Sequence, residues 1–251
     1  PILATSYYSQ QPIIFSAVIQ GATVLNTSPP ILQSTCYHEP LQGNITFAET
    51  VDPDTETIQF MTPFYVDCWM PASTFKEERD YAITYRGTYN FNTWAYSTWV
   101  FVDEEERLRD IRQNIDINKR LGIGKTAITY FTNGPVNIGM AELEQPISID
   151  RSDPDKRKPK FLVSISNKEP NTEIVKVNKF TVLTPKSLGL KDCNKKYTSE
   201  DRSHEEYNKY EFELGDVGEY YRSISCRLDI LDVESLLGDG PASFKTFVVD
   251  T

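Results

Sequence analysis

The feature of the sequence that most constrains its fold is an alternation of side-chain type across residues 81–91. Aromatic and branched side chains occupy odd positions and mostly polar ones the even positions; the odd set is Tyr81, Ile83, Tyr85, Tyr89 and Phe91. Because successive side chains of a strand point to opposite faces of a sheet, this period of two predicts a strand with one buried face. We interpret this odd set as core.

Many other short apolar runs, separated by turn residues and charged loops, predict further strands. Residues 94–102 follow a turn-like segment at 90–93 and are expected to form a hairpin with the alternating strand. Residues 150–160 and 191–208 are predicted to be solvated loops. The later candidate strands are residues 127–132, 136–140, 146–150, 161–166, 174–183, 210–214, 220–230 and 244–249.

Between the two strand-rich regions the apolar period changes to that of a helix. Asp103 is a suitable N-cap and Gly122 a suitable stop, so we expect one amphipathic helix over residues 103–121. Its apolar positions are Leu108, Ile111 and Ile115, and its expected i,i+4 ion pairs are Asp103–Arg107 and Glu105–Arg109. The sequence thus predicts an all-β fold of two β-sandwich domains, residues 1–102 and 122–251, joined by residues 103–121 as a helical linker.

The four cysteines are even in number and widely spaced, which suits disulfides better than a metal site. Four cysteines allow three pairings, and two nearly equal intervals favour Cys36–Cys68 and Cys193–Cys226. Disulfides persist in oxidising compartments, so we expect an extracellular protein.

A weak internal repeat accompanies the cysteines, because a Thr-Val-Leu tripeptide at 23–25 and another at 181–183 each precede a cysteine pair. On this alignment the second domain lacks a strand at its end, and the apolar segment 12–25 is left without a partner. Donation of that segment to a neighbouring subunit is our hypothesis for covering the open sheet edge. The expected subunit-interface residues are Ile13, Phe15, Ala17, Ile19 and Val24.

The formal net charge of −10 argues against nucleic acid and anionic membranes as partners, since both attract basic surfaces. No apolar run has the roughly 18 residues of a transmembrane helix. The sequence starts without Met or a signal peptide, so we expect a mature or excised form, with any membrane anchor outside these residues. Sequons at Asn26 and Asn44 predict a glycoprotein.

No arrangement of residues points to catalysis or to a cofactor. His38 and His204, the two histidines, lie in polar segments without a neighbouring nucleophile motif. Acidic residues at 52–56 and 150–155 are interpreted as ordinary loops, with a calcium site as the alternative, so metal binding stays open. Among the aromatic residues, some of Trp94, Tyr96 and Trp99 are expected at the surface, where they could bind carbohydrate.

Two stretches carry family resemblances. Residues 161–167, Phe-Leu-Val-Ser-Ile-Ser-Asn, followed by 175–183, resemble CARDB-like and related immunoglobulin-like adhesion modules over about residues 135–230. Residues 81–94 with the acidic helix look like uncharacterised archaeal surface proteins over about residues 78–121. Both resemblances imply an immunoglobulin-like β-sandwich displayed at the cell surface, without catalytic residues. The short interval between paired cysteines argues against an antibody-type bridge between sheets.

Together these observations predict a non-catalytic extracellular structural subunit of a surface filament or layer, a homopolymer joined by strand exchange. The first alternative is a membrane-anchored adhesion ectodomain that binds a protein or a glycan. The second is a secreted hydrolase, for which no residue can be nominated.

Overall fold

A computed structural model shows an all-β protein that divides into two compact units, Pro1–Phe91 and Asn92–Thr251. The described part of the chain contains 21 strands and three α-helices, so the predicted all-β class is confirmed. The structure describes residues 3–4, 13–20, 31–40, 44–57, 63–75, 81–132, 136–141, 144–157, 159–168, 173–218 and 221–251.

The described residues of the first unit form eight strands in two sheets. One sheet has the order β1-β2-β7-β5, and the other has the order β4-β3-β6 with β8 also paired to β3. The strands are β1 (Leu3–Ala4), β2 (Ile13–Gln20), β3 (Ile31–His38), β4 (Thr46–Phe47), β5 (Thr50–Asp52), β6 (Thr55–Thr57), β7 (Pro63–Met70) and β8 (Ile83–Tyr89).

The disulfide Cys36–Cys68 joins the two sheets of this unit, because Cys36 lies in β3 and Cys68 in β7. Both cysteines are buried in a core cluster with Val66 and Met70. The interval of 32 residues therefore does span two sheets. The expectation concerned an antibody-type bridge, and this bridge shows that an interval of 32 residues can join two sheets.

In the second unit, thirteen strands are found over the residues that the structure describes. A seven-stranded sheet has the order β10-β9-β21-β15-β18-β17 with β12 parallel to β9, a four-stranded sheet has the order β11-β13-β20-β16, and β14 pairs with β19. The strands are β9 (Trp94–Asp103), β10 (Thr129–Phe131), β11 (Val136–Ala141), β12 (Ile147–Ile149), β13 (Lys160–Asn167), β14 (Ile174–Val177), β15 (Phe180–Pro185), β16 (Leu188–Lys191), β17 (Ser199–Asp201), β18 (Tyr207–Phe212), β19 (Gly215–Gly218), β20 (Tyr221–Ile230) and β21 (Ser243–Asp250).

Three aromatic rings form the centre of this unit's core. Trp99 of β9 and Phe247 of β21 come from the larger sheet, and Phe161 of β13 comes from the smaller one. The ring centroids are 4.6 to 5.6 Å apart, and all three side chains are fully buried. This contact between the inner faces of two sheets is the packing expected of a β-sandwich.

The predicted helix is two helices, α1 (Glu104–Arg112) and α2 (Ile117–Leu121), and a third, α3 (Val233–Leu237), was not predicted. Asp103 caps α1, and Gly122, with a φ of 67°, ends α2 as expected. Asn114, at a φ of 57°, turns the chain between them. The turn lets Arg120 reach the buried carboxylate of Asp110 at 2.6 Å.

The ion pairs and the apolar stripe of the predicted helix were wrong. Arg107 and Arg109 pair at i,i+3, with Glu104 and Glu106, and not at i,i+4. The apolar stripe is exposed, and the buried residue of α1 is Asp110. The exposed residues of the stripe are Leu108, Ile111 and Ile115.

The predicted hairpin between residues 81–91 and 94–102 was also wrong. β8 pairs with β3, whereas β9 pairs with β10, β12 and β21. The helix expected to link two domains therefore lies within the second unit, and the chain divides at Phe91 and Asn92. β9, which was assigned to the first domain, lies in the larger sheet of the second unit, beside β21. The alternation that predicted β8 is present: the five residues of the odd set are half-buried rather than core, and the even positions are exposed.

Candidate functional site

The amino-terminal strand predicted for donation is already paired. All eight residues of β2 are in antiparallel register with β7, and Phe15 and Ser16 also pair with β1. The four interface positions in β2 lie opposite residues 64, 66, 68 and 70; they are Ile13, Phe15, Ala17 and Ile19. The expectation of an unpaired strand was wrong, and Val24 lies outside the described residues.

Of the predicted disulfide and glycosylation residues, the structure describes all but one. Cys193, just after β16, is bonded to Cys226 of β20, and Cys36 to Cys68, the pairing that the matching intervals favour. Asn44 is exposed in the loop before β4, which leaves its sequon accessible. Asn26 lies outside the described residues.

Two aspartates of the acidic loop after β12 are paired with lysines. Lys156 Nζ lies 3.2 Å from Asp150, and Lys191 Nζ lies 3.2 Å from Asp155. Hydrogen bonds from Ser152 and Lys156 lower the pKa of Asp150 to about 2, so it is a carboxylate at neutral pH. Within the described ranges no three His, Cys, Asp or Glu side chains converge as metal ligands.

The two histidines have different surroundings. His38 is buried, lies within 2.9 Å of the Ala82 carbonyl through Nδ1, and packs on the rings of Phe75 and Tyr81. His204 is exposed, and its Nδ1 accepts a hydrogen bond from the backbone N–H of Glu206. His38 therefore contributes to packing in the first unit, and His204 to a surface loop.

An exposed set of aromatic side chains lies on the outer face of the seven-stranded sheet. Trp94 and Tyr96 of β9 are 47% and 36% exposed, and Tyr130 of β10 is 55% exposed. The rings are nearly parallel, with centroid distances of 5.9 Å from Trp94 to Tyr96 and 5.3 Å from Tyr96 to Tyr130. We call these three residues, with their exposed neighbours Ile128 and Phe244, the aromatic face.

Small residues on the inner face of β9 explain why the aromatic residues point outwards. Ala95 and Ser97 alternate with Trp94 and Tyr96 and are fully buried, which leaves the inner space to Trp99. The indole N–H of Trp99 donates to Ser97 Oγ at 3.0 Å, and Ser97 Oγ donates to the carbonyl of Ile128 at 3.1 Å. The Trp99 ring thus occupies the space beside Ala95 and Ser97 on the inner face, and its indole N–H has a hydrogen-bond acceptor. The rings of Trp94 and Tyr96 face the solvent.

The aromatic face carries very little charge. Directly paired residues share a face, so Val248 and Thr246 of β21 lie beside Tyr96 and Thr98 of β9. The hydroxyls of Thr98 and Thr246 are 2.9 Å apart, which confirms the shared face. Among the described residues of β9, β10 and β21 on this face, Asp250 alone is charged, although 25% of the chain is charged.

Part of the aromatic face could be foreseen. Surface exposure was expected for some of Trp94, Tyr96 and Trp99, and it is found for the first two, whereas Trp99 is buried. Tyr130, Ile128 and Phe244 were not nominated. These residues could have been nominated only from the pairing of β10 and β21 with β9, and that pairing is not visible in the local sequence.

Comparisons with known proteins add no assignment: no family model matches the chain, and no curated protein matches it. In the part of the chain that the structure describes, no helix has the length and apolar character needed to cross a membrane. The two disulfides fit a secreted or extracellular protein.

Proposed function

We propose that this protein is a non-catalytic extracellular structural subunit that associates with copies of itself through the aromatic face. The observation that carries the proposal is the near-parallel stack of Trp94, Tyr96 and Tyr130, exposed on an open sheet face. Clustered exposed aromatic side chains are enriched at protein interfaces and are uncommon elsewhere on a surface.

A second copy is the partner that the charge distribution favours. Each molecule carries a net charge of −10, so repulsion opposes association of two copies, and it opposes a contact least where the local surface is nearly uncharged. The aromatic face is such a surface, and two sheet faces can pack at about 10 Å with interdigitated side chains. This contact replaces strand exchange as the proposed route of assembly, because β2 is paired within the chain.

Localisation at the cell surface is part of the same proposal. The disulfides support an oxidising compartment, and the resemblance to immunoglobulin-like adhesion modules and archaeal surface proteins supports display outside the cell. A surface layer or filament subunit needs contacts rather than an active site.

Sedimentation velocity tests the proposal. The wild type should form concentration-dependent oligomers that strengthen as salt screens the charge repulsion. Replacing Trp94, Tyr96 and Tyr130 together by Ser should give a monomer. Val175→Ser, at a 51% exposed apolar residue of β14, is the matched control and should associate like the wild type.

A second candidate, an adhesion ectodomain that binds a protein or glycan, uses the same exposed aromatic side chains. It predicts a wild-type protein that stays monomeric at high concentration and binds a cell surface or an immobilised glycan. Loss of that binding in the triple Ser variant, with no change in sedimentation, would favour adhesion over self-association.

A further inference from the structure

The first unit has a nearly uncharged outer face on the sheet that contains β3. Directly paired residues of antiparallel strands share a face of the sheet. The outward residues of β3 pair with Phe47 of β4, with Arg86 of β8 and otherwise with threonines of β6 and β8. Those outward residues of β3 are Ile31, Gln33, Thr35 and Tyr37. We call this surface the β3 outer face, and among its described residues Arg86 alone is charged.

The end of the β3 outer face at β4 is apolar. Phe47 is 61% exposed, and its ring centroid lies 5.8 Å from that of its strand partner Tyr37. Ile45, two residues before Phe47, is 45% exposed. Thr84 pairs with Tyr37 from the opposite side. An exposed ring beside threonine hydroxyls suits a carbohydrate, because sugar C–H groups pack on the ring and sugar hydroxyls bond the threonines.

Asn44 provides an attachment point for a carbohydrate at this end of the face. Asn44-Ile45-Thr46 is a sequon, and Asn44 is exposed just before β4. The Cα atoms of Asn44 and Phe47 are no more than about 11 Å apart, because an extended chain spans at most about 3.6 Å per residue. A glycan on Asn44 therefore begins beside the exposed Phe47 ring.

The sequons also separate this face from the aromatic face. Both sequons of the chain, at Asn26 and Asn44, lie in the first unit, and the sequence of the second unit contains none. An attached glycan is bulky and hydrated, so it covers a surface and opposes a contact between copies there. The β3 outer face therefore suits cover by a glycan, whereas the aromatic face suits contact with a second copy.

We propose that Asn44 carries an N-linked glycan whose first sugar packs against Phe47 and covers the apolar end of the β3 outer face. In the attachment step, Asn44 Nδ2 bonds to the anomeric carbon of a lipid-linked glycosyl phosphate donor. The bond from that carbon to the phosphate oxygen breaks, and the displaced Nδ2 proton goes to the released phosphate. The proposal rests on the extracellular location proposed above and is independent of self-association.

Secretion of the whole chain from a host that glycosylates sequons tests the attachment and the contact. Peptide mass spectrometry should find a glycan on Asn44. Nuclear Overhauser effects should connect the Phe47 ring protons to the first sugar. An unmodified Asn44, or a glycosylated protein without these contacts, would overturn the proposal.

Thermal unfolding separates packing of the glycan from its mere attachment. Enzymatic removal of the glycan should lower the melting temperature of the wild type by about 2–4 °C and that of Phe47→Ser by less than about 1 °C. Tyr65→Ser, at a 68% exposed residue of β7 in the other sheet of the unit, is the matched control and should lose as much as the wild type. Equal losses in the wild type and Phe47→Ser would refute the packing.

Sedimentation velocity distinguishes this proposal from self-association. Glycosylated Phe47→Ser should associate like the wild type. Loss of association in this variant would assign the β3 outer face to a second copy and overturn the glycan proposal. A wild type that is monomeric but shows the sugar contacts to Phe47 would refute self-association and support the glycan proposal.

Discussion

At the scale of single residues, the second unit relies on a few charged side chains that are held by specific partners. Asp110 is the buried residue of α1, and Arg120 of α2 pairs with it. Arg151 holds Asp103, the N-cap of α1, at 2.7 Å and also bonds Glu234 and the carbonyl of Gly238 at the end of α3. These contacts fix short helices that have little intrinsic stability.

Replacing Arg120 by Met should lower the free energy of unfolding by about 3 kcal/mol, because the buried Asp110 carboxylate is left without a partner. Arg109→Met is the matched control: Arg109 is exposed and pairs with Glu106 one turn away, so the loss should stay below about 0.5 kcal/mol. Urea unfolding at pH 7 measures both. Equal losses in the two variants would show that the buried Asp110–Arg120 pair contributes no more to stability than the exposed Arg109–Glu106 pair.

Glu104 should make the stability depend on pH. Hydrogen bonds from Arg107 lower the pKa of Glu104 from 4.5 to about 2, so the folded state favours its ionised form. This contribution is fully present above pH 4.5 and is lost as the pH falls towards 2. The difference in unfolding free energy between wild type and Glu104→Gln should therefore be constant near neutral pH and shrink below pH 4.5. A difference that does not change with pH would contradict this.

At the scale of elements, the strands of the second unit have two faces of very different character. On β21, Phe247 is fully buried against Trp99 and Phe161, whereas Phe244, three residues earlier, is 58% exposed. Phe247→Ala should cost about 3–5 kcal/mol of stability. Phe244→Ala should change stability by less than about 0.5 kcal/mol. Thermal or urea unfolding measures both, and similar effects would mean that the assignment of the faces is wrong.

The sequence predicted strands well where a local pattern determines them, and poorly where distant pairing does. The alternation at 81–91 predicted β8, and the apolar run at 161–166 predicted β13. The hairpin was predicted because residues 90–93 suit a turn. It does not form, because β9 pairs with β21, which lies at least 140 residues further along the chain. Strands β16, β17 and β19 are among those missed, since short charged or Gly-containing segments have no strong strand pattern.

At the scale of the whole molecule, the position of one strand decided how the chain was divided. Assigning β9 to the first unit made the second seem one strand short, and the repeat alignment left residues 12–25 without a partner. The structure places β9 between β10 and β21 and pairs β2 with β7, which removes both problems. Similar cysteine spacing also proved a poor guide to a repeat. Cys36–Cys68 joins two sheets, whereas Cys193–Cys226 ties a loop after β16 to the neighbouring strand β20.

Site-specific photo-crosslinking tests the central claim, association through the aromatic face, most directly. A photoreactive phenylalanine analogue placed at Tyr96 should give covalent dimers on illumination, with peptides from β9, β10 or β21 of the second copy attached. The same analogue at Val175, an exposed apolar residue of β14, should give few dimers. Equal yields at both positions, or no dimers from position 96 at concentrations where the protein is oligomeric, would contradict the account.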